Sequence, residues 1–97
     1  MSDPKFAVVD LEKPYKLGDT EHKSIKVRKP GAGELRGTNL NALLNSNVDQ
    51  MLTLLPRLTM PPISEQELAD PDIIDVADFT ALVNEVVIFL TPASLRG

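Results

Sequence analysis

The sequence predicts an α+β fold: an N-terminal antiparallel β-hairpin followed by three or four α-helices, in a single small domain. Three observations lead there. Two strand-like segments precede Pro30, and helical spacings with helix caps dominate after it. The length of 97 residues, 42% of them hydrophobic, suffices for one core and leaves no room for a second. The hairpin is assigned to residues 6–30 and the helical part to residues 31–92.

The first strand is Phe6-Ala7-Val8-Val9-Asp10-Leu11, rich in β-branched residues with a polar end. Pro14 interrupts it, and Leu17-Gly18-Asp19-Thr20 supplies turn residues, so a loose loop is expected around residues 12–22. In the second strand Ile25 and Val27 alternate with Ser24, Lys26 and Arg28. Pro30 ends that strand, because proline has no N–H for a ladder and pushes Lys29 towards extended geometry. A lone hairpin is marginal in water, so this one must pack on the helices that follow.

A short helix is expected from Ala32 to about Arg36, with Glu34 in its first turn, where a negative charge meets the positive end of the dipole, and Gly37 as its stop. Leu40, Leu43 and Leu44 continue a helical spacing that Gly37 and four asparagines between 39 and 47 weaken. Asn47 followed by Gln50 has the form of a capping box, opening a helix through Met51, Leu52 and Leu55 towards Leu58, which Pro56 ends or kinks near Leu55. Thr59-Met60-Pro61-Pro62 is a break, and Ser64 with Glu67 is a second capping box, opening a helical turn that stops before Asp70-Pro71. The last helix runs from about Val76 to Leu90, with Pro92 closing it. One core is expected to hold Ile25, Val27, Leu35, Leu52, Leu55, Phe79, Leu82 and Val86.

That last helix is unusually apolar. Phe79, Leu82, Val83, Val86 and Leu90 form the stripe that faces a core. Val87, Ile88 and Phe89 add apolar area beyond it, with Ile88 projecting onto a thin polar face of Ala77, Ala81, Asn84 and Glu85. Two readings stand: a central helix packed on two sides, or a partner-docking surface at Val87, Ile88 and Phe89.

Charge narrows the range of partners. Residues 1–36 carry eight Lys and Arg against six Asp and Glu, whereas residues 37–97 carry two against eight. The helical half would repel phosphates, so no nucleic-acid partner is expected. Lys23, Lys26, Arg28 and Lys29 are the one candidate exception, and the solvated side of a strand is the better account of them. The longest apolar run, Val86 to Leu90, is five residues against the ~20 that span a bilayer, so no membrane partner is expected. Met1-Ser2-Asp3-Pro4-Lys5 shows no secretory pattern, and the expectation is a soluble cytoplasmic protein.

Catalytic and cofactor templates fail. There is no cysteine, and His22, the only histidine, sits in an expected loop without further ligands at zinc spacing. One Ser/His/Asp set exists by composition, but no nucleophile elbow surrounds a serine. Leu17-Gly18-Asp19 and Pro30-Gly31-Ala32-Gly33-Glu34 lack a Walker lysine and a GxGxxG pattern. Asp70, Asp72, Asp75 and Asp78 do not keep the calcium-loop spacing and read as helix-start charge on a solvated face. No catalytic residue, cofactor or metal is expected, and the residues alone give a compact binding module.

The order of motifs resembles the small tail assembly chaperones of Mu-like and P2-like contractile-tailed phages. The matching positions run from Val9, Leu11 and Pro14 through Ile25, Val27, Arg28 and Pro30 to Gly33, Glu34 and Leu35. They continue in the Leu-rich helix, at Pro61, and at Val76, Asp78, Leu82, Val86, Phe89 and Leu90. The chain departs in having Gly31 where the family tends to place a Thr cap, and in Pro56. The resemblance marks Arg28, Pro30, Glu34, Leu35 and Asp78 as family-motif positions. It implies a chaperone that binds the tape measure protein in the host bacterial cytoplasm and promotes tail tube polymerisation, with the tube protein as a further partner. It also implies absence from the finished virion, and a longer frameshifted product beside a short one. Self-association is left open. The alternatives are a structural tail or baseplate subunit, and a small acidic regulator that masks a basic partner.

Overall fold

Strand β1 (Phe6–Leu17) turns back through Gly18 and Asp19 into β2 (Thr20–Arg28), and the two pair antiparallel from Phe6↔Arg28 to Leu17↔Thr20. The computed structural model describes residues 6–91, so the expected closure at Pro92 and the N-terminal five residues lie outside the described residues. Gly18 has φ +61°, which suits the first central position of a type II′ hairpin turn. The expected loose loop over 12–22 is therefore replaced by a tight turn and a much longer first strand. Pro14 is accommodated because the register shifts between Asp10 and Tyr15. Residues 11–14 there lie opposite the single Lys23, a bulge in which a residue without N–H costs no ladder bond. His22 is accordingly a strand residue, its ring stacked on Tyr15 at 6.3 Å.

After β2 the segment Ala32–Leu35 forms a single 3-10 turn instead of the expected α-helix, and Gly37 reverses the chain at φ +84°. Helix α1 (Leu40–Leu44) and helix α2 (Val48–Leu54) follow. Pro56 ends α2 by tightening Leu55–Arg57 into a 3-10 turn, which leaves Leu58 beyond the helix. The asparagine capping box is only half made. Asn47 accepts the N–H of Gln50 at 3.1 Å, but the Gln50 side chain accepts the N–H of Asn39, the cap of α1, at 2.7 Å. One glutamine thus couples two short helices.

The expected break at residues 59–62 begins with a third strand. β3 (Thr59–Met60) pairs with β2 at Val27↔Thr59 and Lys26↔Met60, giving sheet order β1-β2-β3. Helix α3 (Glu65–Ala69) opens on the full Ser64/Glu67 capping box, and α4 (Val76–Leu90) has the expected bounds. α4 packs on β1 and also touches β2 and α1, while α2 packs on α3. The core gathers Ile25 and Val27 from the sheet, Met51, Leu54 and Leu55 from the α2 region, and Leu82 and Val86 from α4. Tyr15, Leu43, Ile63 and Ile74 also belong to it. Leu35, Leu52 and Phe79, expected inside, are half-buried against its edge.

Candidate functional site

Helix α4 is fixed by hydrogen bonds that run back to the bulge of β1. Asp78, only 2% exposed, accepts the N–H of Glu12 at 2.8 Å and of Lys13 at 3.0 Å, one on each carboxylate oxygen. These donors are bulge groups that no strand partner takes up. The Lys13 ammonium also donates to the Asp72 carbonyl, and Asp75 caps the helix by accepting the N–H of Ala77 at 3.1 Å. The expected solvated acidic run is thus divided. Asp78 is a buried tie between helix and sheet, because it falls on the sheet-facing side at the first turn.

Held this way, α4 buries Leu82, Val83 and Val86 and leaves Ile88 43% exposed. Val87 and Phe89 are half-buried and pack on the core edge, and Leu90 is half-buried with them. Of the three residues expected to form a docking surface, Ile88 alone stands clear of the core.

Of the family-motif positions, Asp78 is the tie between helix and sheet, and the other four gather in a separate structural clasp. Arg28, at the end of β2, grips Glu34 in the 3-10 turn with both terminal guanidinium nitrogens, Nη1 at 2.6 Å from Oε1 and Nη2 on Oε2. Glu34 Oε1 also accepts the Gly31 N–H at 3.1 Å, so the turn starts without a capping side chain at position 31. Its carboxyl is held down to about 2, chiefly by Arg28 and then by the Gly31 N–H. Pro30 and Leu35 flank the clasp, both half-buried. Arg57, which sequence reasoning missed, binds the carbonyls of Glu34 at 2.8 Å and Arg36 at 3.0 Å. Lys23 and Lys26 are both exposed, with the Lys26 ammonium 5.9 Å from the centre of the Phe6 ring.

Between α2, α3 and the start of α4 lies an apolar groove of about 460 Å³, lined by Val48, Leu52, Leu68, Ile74, Val76 and Phe79 among others. It lies where α2 leans on α3 while α4 leans on β1, which keeps the backbones of α2 and α4 apart. Leu52 and Phe79 are half-buried because they form its opposite walls. Val48 and Val76 sit at its mouth, 56% and 73% exposed. The sequence signal for part of this wall is the pair Ile74 and Phe79, which bracket the cap of α4 at hydrophobic-staple positions. The wall across from it, on α2, needs tertiary packing to be seen.

The model of the phage tail assembly chaperone proteins described as E, or 41 or 14, matches residues 8–91. Tail assembly protein E of Escherichia phage P2 is 40% identical over 92 residues, covering 95% of this chain and 98% of the relative. Tail assembly protein E′ of the same phage is 41% identical over 86 residues, covering 89% of this chain and 58% of the relative. No solved structure matches. The chain belongs to the phage tail assembly chaperone family, and its role is in tail assembly. Among the described residues, no helix is long and apolar enough to cross a membrane.

Proposed function

We propose that this protein binds the tail tape measure protein in the host bacterial cytoplasm, keeps it soluble, and promotes polymerisation of the tail tube around it. The observation that carries this reading is apolar surface displayed on a strongly acidic helical half. The groove and Ile88 offer cover for sticky segments, and residues 37–91 carry eight acids against one base, Arg57, which keeps a loaded complex apart from others. No step of this role calls for a catalytic residue, a metal or a cofactor.

A co-expression pull-down against the products of the tail operon tests the proposal. Recovery of the tape measure protein is expected. Recovery of tube or sheath protein alone would favour a structural subunit, and recovery of a basic regulator alone would favour the acidic-mask reading.

A further inference from the structure

We infer that the groove between α2, α3 and the start of α4 is a docking site for a short amphipathic segment whose apolar side chains are flanked by Lys or Arg. Its identity as a segment of the tape measure protein rests on the function proposed above. Three observations carry the inference. First, the groove's volume of about 460 Å³ lies within the roughly 300–1,000 Å³ of clefts that take up ligands. Second, Leu52 and Phe79 are positioned as core residues yet only half-buried, so an apolar insert would complete a core that the chain leaves open. Burial of such side chains is the main favourable term in docking.

Third, acids predominate in the segments that line the groove. Asp49 follows Val48, and Asp70, Asp72 and Asp75 alternate with groove-lining positions between Ala69 and Val76. Against these four acids, the Lys13 ammonium is the cation placed at the rim. Arg57 holds the carbonyls of Glu34 and Arg36, and the Lys13 ammonium holds the Asp72 carbonyl. An apolar floor with a negative rim selects a segment with basic flanks and disfavours an acidic one. A second copy meeting the groove through its own acidic half would oppose like charges, which argues against a symmetric dimer there.

The probe is a short Leu/Lys amphipathic peptide, with a Leu/Glu peptide of the same pattern as control, followed by backbone amide shifts of the full chain. The Leu/Lys peptide is expected to shift Val48, Leu52, Val76 and Phe79, and the control to leave them unmoved. Val76→Lys, which reverses the charge preference at an exposed position, is expected to weaken binding at least tenfold. The double variant Asp72→Asn, Asp75→Asn keeps an oxygen at the α4 cap and is expected to weaken it less. Shifts confined to the Ile88 end of α4, equal binding of the control peptide, or groove shifts that follow protein concentration without peptide would each overturn the inference. Capture of the tape measure protein by wild type and by Val76→Lys alike would overturn the groove and leave the proposed function standing. Peptide in the groove without tape measure capture by wild type would uphold the groove and remove the proposed partner.

Discussion

Asp78 accepts the backbone N–H of Glu12 at 2.8 Å across 66 positions of sequence, while its second oxygen takes the N–H of Lys13. This pair sets where α4 begins relative to the sheet, and with it one wall of the groove. Replacing the carboxylate should therefore be felt well beyond its own position. Asp78→Ala is expected to lower stability by about 2–3 kcal/mol, since two N–H groups lose a charged acceptor. Asp78→Asn should recover only part of this, because an amide offers one acceptor oxygen and turns its NH2 towards the other donor. Chemical denaturation of both variants measures the difference. Equal stability of wild type and Asp78→Ala would remove the tie from the account.

The Arg28–Glu34 clasp should make the fold sensitive to acid. The Glu34 carboxyl is lowered from 4.5 to about 2 by its partners, so the folded chain binds that proton more weakly than the unfolded chain does. Its contribution is complete above pH 4.5 and is lost as pH falls towards 2. In Glu34→Gln the slope of stability against pH in that window is expected to flatten. An unchanged slope would place the acid sensitivity elsewhere.

Tyr15 should give the opposite dependence. Burial, then the Glu67 carboxylate 2.9 Å from its hydroxyl, push its pKa up from 10.0 to about 12. The folded chain holds this proton more tightly, so its stabilising contribution is full below pH 10 and lost as pH rises through about 12. Tyr15→Phe keeps the ring in the core and is expected to cost about 1 kcal/mol at neutral pH. It should also abolish the alkaline loss between pH 10 and 12, which a thermal melting series across that range would detect.

Ile88→Asp is expected to leave the isolated fold within about 1 kcal/mol of wild type, because the side chain is already 43% exposed near the end of α4. Loss of capture of the tape measure protein in this variant would assign the exposed end of α4 to the interface. A sharp fall in melting temperature would show that Ile88 serves the core. Phe89→Ala is the contrasting case, since Phe89 packs on the core edge and its truncation is expected to lower stability whatever the partner does.

Much of this architecture is legible in the chain because local chemistry decides it. Ser64 and Glu67 make their box, Val76 to Leu90 keep a helical stripe, and Pro30, Gly37 and Pro56 end elements where their backbone requires it. The misreadings share one cause. Pro14 ends a strand only if the ladder needs an N–H at that position, and the bulge removes that need. Thr59 and Met60 form a strand only because β2 offers them an edge. The solvated reading of Asp78 and the core placement of Leu52 and Phe79 likewise depend on which elements meet. The exposure of Ile88 follows from the helical period, whereas the groove follows from α2 and α4 leaning on different neighbours.

The most direct test of the central claim is the soluble fraction of the tape measure protein when it is expressed with this chain and without it. The account predicts that the tape measure protein sediments when expressed alone and stays in solution, bound to the chaperone, when both are present. A tape measure protein that partitions identically in the two cases, with none bound, would contradict it.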